Sequence, residues 1–308
     1  MLLRPARENM LWIPGGDFQM GSDHHYPEER PAHHVHVEGF WMDPHPVTNA
    51  EFRRFVEATG YVTLAERTPD PAQFPGVPLD VLVPGSVVFQ QPAGPVPLYD
   101  HAGWWAYVPG ACWHQPEGPH STLTGQDSHP AVHVAFEDAL AYAAWAGKML
   151  PGEAEWEYAA RGGLHGATFA WGDEERPQGR VMANTWHGRF PWENLDPHGF
   201  PRTSPVGTYP ANGYGLHDMT GNVWEWTLDP FQPQHVIRHV KSCCTPLNTR
   251  AGTGGTRERR VIKGGSHLCA PNYCFRYRPA SRQGQEVDSS TSHLGFRCIV
   301  RGAGNAPI

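Results

Sequence analysis

The sequence predicts an α+β fold in which short strands and short helices are joined by many turns. Its 308 residues include 34 glycines and 31 prolines, and this content leaves room for few long helices. Alternating apolar stretches and stretches with helical periodicity both occur along the chain. Twelve tryptophans and 39% hydrophobic residues suffice for a packed core. No shift in composition marks a boundary, so we predict one domain over residues 1–308.

The first third of the chain predicts strands followed by a helix. Alternation around several glycines predicts three short strands, at Trp12–Ile13, Phe18–Met20 and Val35–Val37. A helix follows, because Thr48 or Asn49 can cap its first turn and Gly60 can end it. Its apolar face is formed by Phe52, Phe55 and Val56. Residues 68–97 are rich in proline and glycine and are expected to cross the surface as a long loop.

Two more helices are predicted between residues 136 and 163. The first begins at Glu137 and Asp138 and ends at Gly147. Its inward side chains are expected to be Leu140, Ala144 and Trp145. The second follows Pro151 and ends before Gly162. It carries Glu153, Glu155 and Glu157 early and Arg161 at its end. These charges match the helix dipole, so we expect a solvated helix end there and no acid–base catalysis.

Charge and hydropathy bear on the possible partners. The formal net charge of -7 gives no support for nucleic acid or an anionic membrane as partner. No apolar run approaches the roughly 20 residues of a membrane span. The N-terminal residues Met1–Glu8 lack the apolar core of a secretion signal. We therefore expect a cytoplasmic protein.

Six cysteines are too few and too unevenly spaced for a disulfide scaffold. They are Cys112, Cys243, Cys244, Cys269, Cys274 and Cys298. In a reducing compartment this number favours metal binding or redox catalysis. Cys243 and Cys244 are adjacent, which disfavours joint binding of one small ion, and they are interpreted as structural or mutually oxidisable. Cys112, beside Trp113, is expected in the core.

The pair Cys269 and Cys274 is the best candidate for chemistry. Pro271 argues against a helix between them, so both sulfurs are predicted on a tight loop entering a strand-like run at Phe275–Arg278. Two arginines alternate in that run, and a guanidinium near a thiol favours the reactive thiolate. Taken alone, the pair is equally compatible with a structural disulfide or with two inert thiols.

Seven stretches of the sequence resemble the formylglycine-generating enzymes, the sulfatase-modifying factors. These are Ile13–Gly21, Pro46–Asn49, His129–His133, Glu153–Ala159, Asn212–Leu216, Gly221–Trp226 and Lys263–Arg278. Most of these motifs occur throughout the wider fold superfamily and bear on the fold, whereas the paired cysteines bear on activity. The resemblance implies a C-type-lectin-like α+β fold with little regular secondary structure.

The resemblance also implies an activity, the oxidation of a cysteine in a sulfatase Cys-x-Pro-x-Arg motif to Cα-formylglycine by dioxygen and a reductant. Cysteines matching Cys269 and Cys274 bind Cu(I) in the family, and soft thiolates suit that soft ion. An open position would receive the thiol of the substrate. The partner would be an unfolded sulfatase polypeptide in an extended groove, because a cysteine inside a folded sulfatase would be inaccessible.

Further site residues are implied by the same resemblance. Ser266 and Tyr273 match polar residues that line the active site of the family. Arg278 and Ser290 lie in its carboxy-terminal motif and are assigned to substrate binding or oxygen positioning. The alternative for Tyr273 is an ordinary buried tyrosine with a satisfied hydroxyl.

Structural Ca²⁺ is implied at two places. One ligand set consists of Asp218, the backbone of Gly221 and Val223, and Glu225, and such oxygen ligands suit a hard cation. The other consists of Asn184, the backbone of Thr185 and Phe200, and position 198. His198 stands where the family has aspartate, and Asp196 is a possible substitute.

The disulfides of secreted family members are not expected here. Ala160 stands at the position that would pair with Cys298, and Pro279 replaces another cysteine. Both departures fit a cytoplasmic form, in which Cys298 is a buried apolar thiol.

Two other functions compete with the oxidase. One is a non-catalytic lectin-like module that binds a peptide or a saccharide. The other is an iron enzyme like the sulfoxide synthases, whose motif His129 and His133 resemble, although Ala135 stands where that motif needs glutamate. The cluster His33–His36 is expected to place His34 and His36 in solvent. Trp224 and Trp226 are interpreted as core or groove wall.

Overall fold

The computed structural model describes residues 7–195, 197–236 and 258–302, and within these ranges it has three α-helices and eleven short strands. The helices are α1 (Asn49–Thr59), α2 (Phe136–Trp145) and α3 (Glu153–Arg161). The strands are β1 (Leu11–Ile13), β2 (Gly16–Met20), β3 (His33–Val37), β4 (Phe40–Met42), β5 (Gly85–Phe89), β6 (Trp105–Pro109), β7 (Trp224–Pro230), β8 (Arg259–Lys263), β9 (Arg282–Glu286), β10 (Leu294–Gly295) and β11 (Ile299–Arg301). The α+β prediction is confirmed.

Four small sheets organise the chain. The largest has the order β10-β7-β8-β9, in which only the β10–β7 pair is parallel. A second sheet, β1-β4-β11, joins strands from both ends of the described chain. Two antiparallel hairpins, β2-β3 and β5-β6, complete the set. Strand β9 therefore forms one edge of the largest sheet.

Helix α1 begins and ends where the sequence predicts. Thr48 Oγ1 accepts a hydrogen bond from the Glu51 N–H, and the Glu51 carboxylate accepts one from the Thr48 N–H, which together form a capping box. Gly60 follows the last turn with φ of 67°, the left-handed conformation that favours glycine. Phe52 and Phe55 are buried, as predicted.

The predicted inward face of α2 is wrong for Leu140 and Ala144, and only Trp145, which is partly buried, packs against the core as predicted. Leu140 is 38% exposed and Ala144 is also exposed, whereas Ala139, Tyr142 and Ala143 are buried. An alanine-rich helix has weakly contrasting faces, so its apolar residues do not fix its rotation. Here Asp138 turns inward, where its carboxylate accepts hydrogen bonds from the Tyr61 hydroxyl and the Leu64 N–H.

The prediction of a solvated helix end for α3 is also wrong. Of the glutamates at 153, 155 and 157, only Glu155 is partly exposed. Glu153 and Glu157 are buried on the helix face that packs against β8. Lys263 Nζ lies 2.9 Å from Glu157 Oε2, and Arg282 Nε lies 2.6 Å from Glu153 Oε1. Spacing of four residues places both glutamates on one face, where cations from two distant strands and Arg161 of the same helix neutralise them.

Residues 68–97 are not a surface loop throughout. Residues 85–89 form β5, and four of its five side chains are buried. His34 and His36 are exposed, as expected, and Cys298 is fully buried. None of the described helices is long and apolar enough to cross a lipid bilayer. The predictions for Cys243 and Cys244 fall outside the described residues. So does all but residue 302 of the carboxy-terminal tail, 302–308, which the sequence predicts to be frayed.

Candidate active site

The loop that carries the two cysteines leaves β8 through a pair of glycines. Gly264 and Gly265 both have positive φ, at 93° and 71°. A Cβ on Gly265 would lie 2.9 Å from the carbonyl oxygen of Arg276, so only glycine fits this close approach. The turn brings the beginning of the loop against its end. The glycine turn therefore holds the two ends of the cysteine loop together.

Local hydrogen bonds then fold the loop so that the two sulfurs meet. The Cys269 N–H donates to the Ser266 carbonyl over 2.9 Å, and the Cys274 N–H donates to the Ala270 carbonyl over 2.8 Å. The two Sγ atoms lie 2.9 Å apart, and both cysteines are free thiols. The tight loop predicted around Pro271 is confirmed. The strand-like run at 275–278 is wrong, because the Phe275 N–H donates to the Tyr26 hydroxyl and not to another strand.

The two cysteines differ in their electrostatic surroundings. Burial raises the pKa of Cys269 well above its ordinary value, and its hydrogen bond with Cys274 adds to that rise. The same hydrogen bond lowers the pKa of Cys274 despite burial, and the charge of Arg276 lowers it further. Of the two thiols, Cys274 therefore loses its proton more readily, and Cys269 keeps its proton more firmly.

The two arginines after the cysteines have different roles. Arg276 lines the cavity beside Cys274, where its guanidinium lies 3.8 Å from the centre of the Tyr26 ring and pairs with Glu28. Arg278 is 1% exposed, and both terminal nitrogens donate to the buried carboxylate of Glu29. The structure therefore places Arg278, which the resemblance assigned to substrate, in an internal ion pair away from the cavity lining. Arg276 takes the cavity position.

A cavity of about 560 Å³ opens above the cysteines. One wall is largely aromatic and consists of His101, Trp104, Trp105, Phe190 and Tyr273. The lining also has polar members, which include Gln283, Gln285, Ser289 and Thr291. Both cysteines belong to the lining, although only 1% of Cys269 and 8% of Cys274 is exposed. The volume is that of a site for a drug-sized ligand or a short peptide segment.

Ser266 and Tyr273 both belong to this cavity. The Ser266 N–H points towards Cys269 Sγ over 3.4 Å, and the Ser266 hydroxyl accepts from the Leu268 N–H. The Tyr273 ring stacks on Phe190 with centroids 4.5 Å apart and 5° between the planes. Burial raises the pKa of Tyr273 to about 12, so its hydroxyl stays protonated at neutral pH.

Ser290 is adjacent to the cavity and not part of its lining. Its hydroxyl lies 2.7 Å from Ser86 Oγ, which in turn lies 2.7 Å from His133 Nδ1. The other nitrogen of His133, Nε2, donates to the carbonyl of Pro116. Both ring nitrogens of His133 are therefore engaged, which leaves no lone pair for the iron site that the alternative reading required. Ser290 supports the β5 side of the cavity through this network.

The cysteine pair fits Cu(I) by the chemistry of its donors. Two adjacent sulfurs, one of them stabilised as a thiolate, form the kind of soft donor set that Cu(I) favours. Their position in the cavity lining leaves them open to a further ligand.

The first implied Ca²⁺ set fits only in part. Glu225 has both oxygens engaged by Arg297, at 2.8 Å each, and Oε2 also accepts from Trp156 Nε1. Asp218 is buried, its Oδ2 accepts from the Gly207 N–H, and burial raises its pKa. A cation would reverse that rise, so Asp218 is a suitable ligand and Glu225 is already neutralised.

The described members of the second implied Ca²⁺ set offer only neutral donors. Its described members, Asn184, Thr185, Phe200 and position 198, include no carboxylate, and Asp196 lies outside the described residues. The amide nitrogen of Asn184 donates to the Arg202 carbonyl. The His198 ring packs edge-on against Tyr209. Neutral donors alone are a poor match for a hard dication.

Sequence reasoning missed several cavity residues. His101, Trp104 and Trp105 come from the segment that leads into β6, and Gln283 and Gln285 come from β9. The two glutamines are separated by one glycine, a polar alternation that places both on one face of a strand. That alternation could have been recognised in the sequence as one polar strand face. Nothing in the aromatic segment indicates that it lines a cavity.

Comparison with known proteins shows to which family the chain belongs. Residues 3–302 match the family model described as the sulfatase-modifying factor enzyme 1-like domain. A formylglycine-generating enzyme of Mycobacterium tuberculosis is 55% identical over 94% of this chain and 96% of its own length. A bovine relative named inactive C-alpha-formylglycine-generating enzyme 2 is 37% identical over 97% of this chain and 90% of its own. PvdO of Pseudomonas aeruginosa shares the fold, with a TM-score of 0.62 and 24% identity over 94% of this chain and 93% of that one. The chain therefore belongs to the sulfatase-modifying factor family.

Proposed function

We propose that this chain is a formylglycine-generating oxidase, which converts the cysteine of a Cys-x-Pro-x-Arg motif in an unfolded sulfatase segment to Cα-formylglycine. One observation carries the proposal. Two free thiols lie 2.9 Å apart in the lining of a cavity large enough for a short peptide segment. A structural disulfide would need no such cavity, and inert thiols would not be expected beside the partly buried guanidinium of Arg276.

Cys269 and Cys274 would hold Cu(I), and the ion when bound would supply one-electron chemistry with dioxygen. The protein contributes the remaining conditions. Arg276 favours the thiolate of Cys274, and the proton on Cys269 Sγ would leave when that sulfur becomes a ligand. Tyr273 keeps its hydroxyl proton and can donate a hydrogen bond into the cavity.

The electron balance requires a reductant. A cysteine side chain and one water give an aldehyde and hydrogen sulfide, and release two electrons and two protons. Reduction of dioxygen to two waters takes four electrons and four protons. The proposed reaction therefore needs two further electrons, which a thiol reductant can supply.

The lining of the cavity suits an extended peptide. Gln283 and Gln285 belong to β9, an edge strand of its sheet, and their amides can donate to and accept from a peptide backbone. The rings of Trp104 and Phe190 add apolar surface to the cavity lining, and such surface suits a proline ring. These features support an unfolded polypeptide as substrate.

An assay tests the proposal. The protein is incubated with Cu(I), dioxygen, a thiol reductant and a Cys-x-Pro-x-Arg peptide, and the peptide is analysed by mass spectrometry for the aldehyde. A peptide with serine in place of the cysteine is the matched control. Aldehyde on the cysteine peptide alone is expected. No aldehyde from copper-loaded, folded protein would rule the oxidase out.

A non-catalytic binding module is the rival function, because relatives named inactive are also similar to this chain. It predicts that the peptide binds without oxidation, and fluorescence anisotropy of a labelled peptide would detect that binding. The same experiment therefore separates the two functions.

Two related predictions accompany the proposal. A structural Ca²⁺ at Asp218 predicts that a chelator lowers the thermal midpoint of the wild-type protein more than that of Asp218→Asn. A cytoplasmic location predicts that all cysteines are reduced in protein isolated under alkylating conditions.

A further inference from the structure

A second group of metal-ligating side chains lies apart from the cavity lining. Glu66, Cys112 and His114 place their ligand atoms within 4.8 Å of one another, and no other triad of such residues within 7–195, 197–236 and 258–302 meets that spacing. Cys112 Sγ lies 3.4 Å from His114 Nδ1, which lies 3.6 Å from Glu66 Oε1. Around a tetrahedral Zn²⁺ with bonds of about 2.0–2.3 Å, ligand atoms are roughly 3.3–3.8 Å apart. The sulfur–nitrogen and nitrogen–oxygen separations therefore fall in this range, and the sulfur also lies 3.7 Å from His114 Nε2.

A tight turn holds the cysteine and the histidine together. The Cys112 N–H donates to the Gln115 carbonyl and the Gln115 N–H donates to the Cys112 carbonyl, both over 3.1 Å. Between them, Trp113 is buried edge-on against Phe52 of α1 and anchors the turn in the core. The turn leaves Cys112 buried and His114 partly in solvent, so an ion could reach the sulfur from the histidine side.

The glutamate is held in place by a different segment. Glu66 Oε2 accepts from the Thr63 N–H over 3.0 Å and from the Thr63 hydroxyl over 2.6 Å. Thr63 is fully buried, so these two bonds fix the carboxylate and leave Oε1 directed to the histidine. Outer hydrogen bonds of this kind orient ligands in known metal sites.

We propose that Glu66, Cys112 and His114 bind one Zn²⁺, with a fourth position open to solvent. Sulfur, imidazole and carboxylate are all common ligands of Zn²⁺, a borderline ion. The mixed set differs from the two sulfurs of the cavity, which suit a soft monovalent ion. The bound ion would join the turn at 63–66 to the turn at 112–115, two segments outside the regular strands.

Cobalt(II) tests the site, since a sulfur ligand gives it a thiolate charge-transfer absorption. The full chain is used with Cys243, Cys244, Cys269 and Cys274 replaced by serine, so that only Cys112 and Cys298 can provide sulfur. We expect one equivalent of Co²⁺ to bind with this absorption, and Zn²⁺ to displace it. Cys112→Ser in the same background should abolish the absorption.

His114→Ala and Glu66→Gln should each weaken Co²⁺ binding by about tenfold or more. Matched controls are His120→Ala and Glu57→Gln, which change exposed side chains outside the triad and should leave the affinity unchanged. Absence of the absorption, or its persistence after Cys112→Ser, would overturn the proposal.

A second measurement covers the case in which the serine background fails to fold. Zinc content after equilibrium dialysis is compared between the otherwise wild-type chain and His114→Ala, whose substitution lies on a partly exposed side chain. The variant should hold one equivalent less and lose the rise in thermal midpoint that Zn²⁺ gives the wild type. Equal zinc contents would contradict the site.

Discussion

Strand β8 connects two buried regions that differ in whether their polar groups have partners. At its end lies the ion-pair layer, in which Lys263 faces Glu157, and Arg161 Nη2 lies 2.7 Å from the same carboxylate. A few residues later the chain enters the cavity. There the indole N–H of Trp104 and the Nε of Arg276 are buried without a hydrogen-bond partner.

This difference distinguishes polar groups that stabilise the fold from polar groups that can bind a ligand. A buried charge in contact with an opposite charge is already neutralised, and removing one partner leaves the other charge uncompensated. A buried donor without a partner is costly in isolation and is retained where a ligand can satisfy it. We therefore expect changes in the ion-pair layer to affect stability, and changes in the cavity to affect activity.

Cys269→Ser and Cys274→Ser should give the largest effect on activity. Even outer partners of metal ligands typically cost about 10- to 100-fold, so loss of a ligand should lower turnover by more than about 100-fold. The free energy of unfolding should change by only about 1 kcal/mol, because serine differs by a single atom. Aldehyde formation and urea unfolding would measure the two quantities.

Cys298→Ala is the matched control for these variants. Cys298 is fully buried and lies outside the cavity lining, so this variant should keep its turnover. If the serine variants unfolded while retaining activity per folded molecule, the pair would be a structural element.

Lys263→Met should give the largest loss of stability. It leaves the buried Glu157 with one fewer cation, and breaking such a pair costs about 3–5 kcal/mol. The control is Arg301→Met, because the pair of Arg301 with Glu155 is partly exposed and should be worth less than about 1 kcal/mol. Urea unfolding at neutral pH measures both. Equal losses would show that burial does not distinguish the two pairs.

The parts of the fold that sequence could predict are those with local causes. The capping box of Thr48 with Glu51 and the positive φ of Gly60 depend on neighbours within one turn. The tight loop around Pro271 has the same local origin. The rotation of α2 depended on partners elsewhere in the chain, and its alanines gave no contrast between faces.

The residues of the site could be predicted only where they belong to a recognisable sequence motif. The two cysteines are close in sequence and meet in space. The different roles of Arg276 and Arg278 depend on Glu28 and Glu29, which lie about 250 residues earlier and match the two arginines in turn. The cavity walls likewise come from separate segments, and only a tertiary structure brings them together.

Three buried histidines predict acid sensitivity well before the ion-pair layer titrates. Burial lowers the pKa of His133 and His267 to about 4 and that of His293 to about 3, from 6.5. The unfolded chain binds these protons first, so stability is complete above pH 6.5 and falls towards pH 4. Asp138 opposes this below pH 6, because burial raises its pKa to about 6. For these four groups alone, the net loss between pH 7.5 and 5.5 should be about 3 kcal/mol. The pKa of His235, lowered to about 4 by burial, adds to the loss, whereas burial raises the pKa values of Asp43, Asp218 and Asp229 and thereby opposes it.

Glu157 should contribute only at lower pH. Burial alone would raise its pKa, but Lys263 and Arg161 outweigh burial and lower the pKa to about 2. Its contribution is therefore present above about pH 4.5 and lost below it. Urea unfolding as a function of pH measures both phases, and His133→Asn should reduce the first loss by about 1.3 kcal/mol. A first loss that begins only below pH 4.5 would assign acid sensitivity to the ion pairs.

Arg276→Gln should give the smallest effect, and it separates the two arginines. Loss of the cation raises the pKa of Cys274, because the Arg276 charge helps to lower it. A rise of about one unit would slow alkylation of Cys274 about tenfold at a pH below both values. Iodoacetamide labelling of the metal-free protein, followed by peptide mass spectrometry, measures the rate. Arg278→Gln should instead destabilise the fold, since Glu29 would remain buried and unpaired, and the labelling of its folded fraction should follow the wild-type pH profile. A shifted profile in Arg278→Gln and an unchanged one in Arg276→Gln would reverse the assignment of the two side chains.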